Sequence, residues 1–447
     1  MSSNAVDEYA KFAVKEPPDS FSGRLKFLGP GFILSASIVG SGELIATTTL
    51  GAKAGFVAFW IIIVSCIVKV AVQLEVAKHT IITGETAMQI FDRLPGPRIG
   101  KGRWSVWFIF LLILLKFIQL GGMVGSSAIV LNMLFASIPI VAWVFVCTIL
   151  VSALIYNGHY QIIEKGSLIL VGLFTILTIA AVVALNFTEY NISSGDIASG
   201  LTFSLNREIL TVAIGAFGLT GVASDEIIAY NYWCLEKGYA SYTGKRDGSP
   251  EWRRRVEGWT KVMYLDALAA MVIYTLVTAA FYLLGAAILH SRNEVPAGNA
   301  LIETVAHIYT ESLGEGIRIS YLIGAFAVLF SSLFATLAAW TRIYPDIFER
   351  LEWVDLSRHR KKLIAILAWI IPLGWAFAFL FVNLPLTMIL FGGAVGSIML
   401  LMVVFAALHI KYARRNSFRS SRAYDVAFLV SVMSIAAVAI YGLAQLV

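Results

Sequence analysis

Eleven stretches of this chain are each long and apolar enough to cross a lipid bilayer, and that leaves few folds open to it. A spanning helix needs roughly 20 mostly apolar residues. Such runs lie at about 27–52, 56–80, 104–133, 138–157, 162–186, 207–234, 261–289, 317–341, 363–382, 384–411 and 424–446. Inside hydrocarbon no water completes the backbone hydrogen bonds, so each run has to be a helix. Composition agrees: 58% of residues are apolar and 14% charged, against about 25% charged in soluble domains. Eleven Trp, 17 Tyr and 28 Phe suit a protein that needs aromatic anchors at two interfaces. Asn383 and Pro385 alone part the ninth run from the tenth, which predicts a tight hairpin.

The positions of lysine and arginine orient the bundle. With the N-terminus inside, the inner loops hold Arg93, Arg98, Lys101 and Arg103, then Lys237 to Arg255, then Arg350 to Lys362, then Lys411 to Arg422. The outer loops carry few positives, chiefly Lys53, Arg207 and Arg292. This is the positive-inside pattern of a plasma (inner) membrane protein with a cytosolic N-terminus. The net charge of +6 therefore reports topology and implies no nucleic-acid partner. Residues 1–26 mix charges of both signs without a signal-peptide core, which predicts a short cytosolic tail ahead of one transmembrane domain over 27–447. Cys66, Cys147 and Cys234 show no CxxC spacing, so neither a disulfide framework nor a thiolate metal site is expected. No Walker sequence, GxSxG or HExxH is present, which argues against an enzyme, and no cofactor is expected.

A short self-similarity carries most of the functional information. Ser41-Gly42-Glu43-Leu44-Ile45-Ala46 in the first helix and Ser224-Asp225-Glu226-Ile227-Ile228-Ala229 in the sixth share the pattern Ser-x-Glu-(Leu/Ile)-Ile-Ala, 183 residues apart. The topology runs the two copies antiparallel, as an inverted repeat of five helices plus five requires. The repeats then cover about 27–186 and 207–411, with a last helix at 424–446. Gly40 and Gly42 weaken one copy, and Gly215, Gly218 and Gly221 precede the other; glycine costs about 1 kcal/mol in a helix interior relative to alanine. Glycine-interrupted helices at matching positions point to broken helices around a central site. Glu43, Asp225 and Glu226 at membrane depth each cost about 2.5–3.5 kcal/mol on insertion scales, and such acids mark ion paths or cation sites. The bland alternative is that they pair with Lys69 or Lys116.

Leu28-Gly29-Pro30-Gly31-Phe32, Thr83-Gly84, Tyr160-Gln161-Ile162-Ile163-Glu164 and Asp266 together resemble the Nramp family of proton-coupled divalent-metal transporters. The resemblance implies an all-α membrane protein of LeuT-type fold, two inverted five-helix repeats with an eleventh helix added. The family's metal motifs are altered. Its first-helix Asp-Pro-Gly-Asn falls on Gly40-Ser41-Gly42-Glu43, so the ligand Asp becomes Gly40 and the ligand Asn becomes Glu43. Its sixth-helix Met-Pro-His falls on Val222-Ala223-Ser224. Lys116, Gln119, Gly121 and Gly122 stand where the family's third helix carries acids for protons.

A substrate site is therefore expected from Gly40, Ser41, Glu43, Val222, Ala223, Ser224, Asp225 and Glu226, with Glu43, Asp225 and Glu226 as metal ligands. Carboxylates and freed carbonyls without sulfur favour hard ions such as Mg²⁺. The expected function is alternating-access transport of a divalent metal, by a monomer whose partners are its substrate and the bilayer. The alternatives are a proton-coupled carrier of an organic or amine solute, with Tyr230, Tyr232, Trp233 and Trp340 lining the pocket, and a non-transporting sensor.

Overall fold

The computed structural model describes residues 13–156, 160–204, 207–296, 300–413, 418 and 420–444. Every apolar run becomes a helix. Eight long helices are of membrane-spanning length and composition, a bent pair, Pro30–Ile38 with Gly42–Ala54, makes a ninth span, and Ile140–Tyr156 and Val171–Phe187 are shorter apolar helices. In chain order these are eleven spans, and ordinal numbers are used for them below.

Three differences from the expected boundaries have physical causes. The seventh span begins at Pro250, well before the apolar run, because Ser249 caps it, accepting from the Trp252 N–H at 3.1 Å, with proline in its first turn. Arg253, Arg254 and Arg255 thus lie on a helix that continues beyond the bilayer, where hydropathy no longer reports it. The eighth span likewise runs on to Arg350. The sixth is two helices, Leu210–Leu219 and Ser224–Lys237, separated by four non-helical residues. The ninth and tenth spans meet in the expected hairpin, with Asn383 in the left-handed region (φ 49°) and Pro385 opening the tenth.

Two spans break in the middle of the bundle. In the first, Pro30–Ile38 passes into a π-helical stretch, Val39–Thr47, in which Gly40 leaves helical geometry (φ −71°, ψ −119°). In the sixth, Gly221 sits in the left-handed region (φ 62°) and Ala223 is extended. The N-terminal part of each broken span packs against the C-terminal part of the other, so they cross antiparallel. Helices here approach closely through glycine, as membrane bundles commonly do. A Cβ on Gly218 would lie 1.9 Å from the carbonyl oxygen of Gly393 on the tenth span, and one on Gly393 would lie 2.2 Å from that of Gly215. The sixth and tenth spans are in backbone contact as a result.

The N-terminal end of the first span is fixed by Asp266, which sits well inside the seventh. Its carboxylate accepts from the N–H groups of Gly29 (2.8 Å) and Gly31 (2.6 Å) and from the Tyr230 hydroxyl (2.9 Å). A carboxylate at a helix N-terminus satisfies orphan donors and complements the helix dipole.

Candidate functional site

Unwinding two helices in a membrane frees backbone groups that have to find partners inside the protein. The two breaks find them largely in each other and in the second span. Glu43 Oε1, from the first span, accepts from the Gly221 N–H in the sixth at 3.2 Å and from the Thr278 hydroxyl at 3.0 Å. Glu226 Oε2 accepts from the Ala223 N–H at 2.7 Å, while Glu226 Oε1 meets the Ser37 hydroxyl at 3.4 Å, one turn before the first break. Ser332 of the eighth span donates to the Ser37 carbonyl at 2.8 Å. Glu43 thus reaches the sixth-span break, while Glu226 holds its own break and touches the first span one turn ahead of the other break.

A narrow cleft opens between the breaks, lined in part by Ser37, Gln119, Met123, Ala223, Asp225, Glu226 and Thr336. A second lobe shares Ser37, Asp225, Glu226 and Thr336 and continues to Trp233 and Trp340. Gln119 Oε1 is buried without a hydrogen-bond partner among the described residues. The polar side chains bring oxygen ligands, and the Met123 thioether lines the same cleft.

The expected site residues do not all converge. Asp225, Glu226 and Ala223 line the cleft; Glu43 does not. It is fully buried, and its Oε2 has no partner among the described residues. A residue in a π-helical stretch beside a break does not project as the regular helical period implies, and the bonds to Gly221 and Thr278 turn its carboxylate into the bundle. Gly40 does not face a ligand either: a Cβ there would meet Ser332 Oγ at 2.0 Å, so the eighth span fills that place. Val222 and Ser224 are buried away from the cleft, and the Ser41 side chain lies outside the described residues. Tyr230 and Tyr232 line neither lobe: Tyr230 serves Asp266, and Tyr232 donates to Asp346 at 2.6 Å.

Two lysines complete the electrostatics. Lys116, on the third span with no solvent exposure, forms an ion pair with Asp225, whose side chain is 14% exposed toward the cleft. Lys69, on the second span and equally buried, donates to the carbonyl oxygens of Phe217 and Thr220. Neither reaches for the membrane surface. By formal charge alone, Glu43, Asp225 and Glu226 against Lys69 and Lys116 differ by one negative charge. Among the described residues no group of three or more His, Cys, Asp or Glu side chains is arranged to hold a metal by itself. A cation held there would have to retain water and use neutral oxygens, as hard ions readily do.

The sequence places this fold among known transporters. The family model described as natural resistance-associated macrophage protein-like, Nramp, matches residues 31–445. The chain belongs to the Nramp family. A divalent metal cation transporter MntH of Caldanaerobacter subterraneus subsp. tengcongensis is 26% identical over 352 residues, 76% of this chain and 75% of that protein. The crystal structure of an Eremococcus coleocola manganese transporter, in complex with an aromatic bis-isothiourea substituted compound, superimposes with a TM-score of 0.65 at 16% identity, covering 98% of this chain and 90% of that one. MhsT, in complex with L-phenylalanine, gives 0.60 at 17% identity over 96% and 100%. The fold is of the LeuT type, as the inverted repeat implied. Within this Nramp chain the sequence pattern led to Asp225 and Glu226. It did not lead to Thr336 and Ser332 as their neighbours, because small polar residues on apolar helices are common and carry no period of their own.

Proposed function

We propose that the protein is a secondary transporter that carries a divalent cation by alternating access, with Asp225 and Glu226 as charged ligands and Gln119 Oε1 and retained water completing the shell. The observation that carries this reading is the placement of two adjacent carboxylates at a helix break, facing one cleft between antiparallel broken spans. The metal transporters among its relatives support it. Two carboxylates, an amide oxygen and water, with no imidazole, favour Mg²⁺, Ca²⁺ and Mn²⁺, while the Met123 thioether on the same cleft wall is the one soft group beside them. Glu43 enters as the residue that braces the sixth-span break; Gly40, Ser41, Val222, Ala223 and Ser224 shape the same breaks. By its lysine and arginine distribution the N-terminus faces the cytosol of the plasma (inner) membrane. The carrier works as a monomer within the bilayer, as the first repeat, about 27–186, and the second, about 207–411, rearrange around the cleft.

The test is flux into liposomes holding the purified protein. Saturable uptake of Mg²⁺ or Mn²⁺, abolished by Asp225→Asn and by Glu226→Gln, is expected. Linear flux would make it a channel. No flux with intact binding would make it a sensor.

One observation favours a second reading. The Trp233 and Trp340 rings in the cleft's second lobe, beside Asp225 and Glu226, suit a singly charged organic ammonium, which aromatic faces attract. If small amines are taken up and divalent ions neither move nor compete, this reading replaces the first.

A further inference from the structure

The N-terminal half of the sixth span ends in the bilayer's interior at Leu219, and its last carbonyls have no helical partners. In transporters built from broken helices, such freed carbonyls and half-helix C-termini are where coupling cations such as Na⁺ are held. Here that place is filled from within. The Lys69 ammonium donates to Phe217 O and to Thr220 O, the latter at 2.7 Å, and lies 4.7 Å from the centre of the Phe217 ring. Ser65, one turn earlier on the same span, offers its hydroxyl to the same two oxygens at 3.1 Å and accepts from the Thr220 hydroxyl at 2.8 Å. The helix dipole adds negative potential at this terminus, which a fixed positive charge relieves.

We propose that Lys69 is a tethered cation occupying the monovalent-cation site of the sixth-span break, so that this carrier holds no Na⁺ or K⁺ there and needs neither as a coupling ion. The assignment rests on the break and its carbonyls and is independent of which cargo enters the cleft. Lys69 is a positioning residue: it touches the backbone of the sixth span and not the cleft, and it keeps the half-helix end in place while Asp225 and Glu226 open the next one.

The experiment measures thermal unfolding of the purified full chain in NaCl, KCl and choline chloride at constant ionic strength, for wild type and for Lys69→Ala, Lys69→Met and Lys69→Arg. The wild type is expected to show one Tm in all three salts. Lys69→Ala, which leaves room for a small cation, is expected to unfold at lower temperature and to regain Tm in ethylammonium chloride but not in choline chloride. That selectivity is one that loss of packing alone would not produce. Lys69→Arg is expected to retain more Tm than the neutral, similarly shaped Lys69→Met. Three results would each overturn the proposal: a wild-type Tm raised specifically by Na⁺ or K⁺, a Lys69→Met protein with wild-type Tm and uptake, or a folded Lys69→Ala protein that ethylammonium moves no more than choline. Should Lys69→Ala not fold, the wild-type salts and the Arg-against-Met comparison still decide.

Discussion

The Glu43 carboxylate on the first span accepts the backbone N–H of Gly221 on the sixth at 3.2 Å, across a sequence separation of 178 residues. Gly221 is left-handed at this point, and a side chain there would press to 2.9 Å from the Cα of Cys66. The donor is therefore freed by a conformation that glycine adopts without strain, and the acid of the opposite repeat receives it. Leaving such a buried donor without an acceptor costs about 1–3 kcal/mol. Glu43→Ala should lower stability by about that much, whereas Glu43→Gln, which keeps an acceptor oxygen, should cost less. Because Glu43 does not line the cleft, cation affinity should survive Glu43→Gln and fall in Glu226→Gln. Thermal unfolding beside cation titration of the two variants checks both halves, and an affinity lost in Glu43→Gln alone would contradict the placement.

The glycines of the sixth and tenth spans make a sharper prediction. A methyl group on Gly218 would stand 1.9 Å from the Gly393 carbonyl, closer than any relaxation of one side chain can repair, since the obstacle is backbone. Overpacking a core typically costs about 1–3 kcal/mol, and more where nothing can yield. Gly218→Ala should therefore yield little monodisperse protein. Gly172→Ala, where nothing lies within 4 Å, should match wild type in size-exclusion profile and Tm.

Much of this architecture is legible in the amino-acid order, for identifiable reasons. The spans are readable because lipid imposes one length and one polarity on each. The breaks at Gly40 and Gly221 are readable because glycine in a bilayer helix is conspicuous and the motif recurs in opposite directions. The start of the seventh span at Pro250 is not readable from hydropathy, which falls silent where the helix leaves the membrane. The direction of Glu43 is not readable either: where a helix unwinds, the period that tells one face from another is lost. The sequence leaves open whether Lys69 and Lys116 serve as counter-ions to the acids or snorkel to the interface; the structure buries both. Which of them takes a carboxylate, and which takes carbonyls, depends on how the second and third spans flank the break.

The loop and short helix after the seventh span offer a pH test away from the spans. Burial pushes the Glu294 carboxyl up, but hydrogen bonds with His307 (2.6 Å) and from Arg292 (2.7 Å) more than offset it and hold the group below the usual 4.5. Arg292 also donates to Glu311 at 2.6 Å, so one guanidinium bridges the loop and the short helix Leu301–Leu313. A depressed carboxylate contributes stability that is fully present above its unfolded value and lost as pH falls through its lower, folded value. Hydrogen exchange of Leu301–Leu313 should therefore be slow at neutral pH and rise only below about pH 4.5, the ordinary glutamate value. Glu294→Gln should exchange faster at neutral pH and show a weaker rise on acidification. Equal pH dependence in wild type and variant would show that another group controls this surface.

The ion pair of Lys116 with Asp225 implies competition between a built-in cation and an arriving one. Lys116 has no exposure, whereas Asp225 keeps an edge toward the cleft, so a divalent ion approaching Asp225 and Glu226 has to share or displace the ammonium. Removing one partner of a buried pair leaves an uncompensated charge at a cost of about 3–5 kcal/mol. Lys116→Met should accordingly fold with a lower Tm in chelator, because Asp225 then faces Glu226 unneutralised. The same added negative charge should draw a divalent ion more strongly, by about tenfold or more in Kd, each factor of ten corresponding to about 1.4 kcal/mol. Divalent cation should then restore much of the lost Tm in the variant and shift the wild type less, as ligand linkage requires. Titration calorimetry with Mg²⁺ and Mn²⁺ on both proteins measures the two affinities directly. A weaker Kd in Lys116→Met would mean that the ammonium positions Asp225 for its ligand instead of competing with it, and the cation would then have to bind beside an intact pair.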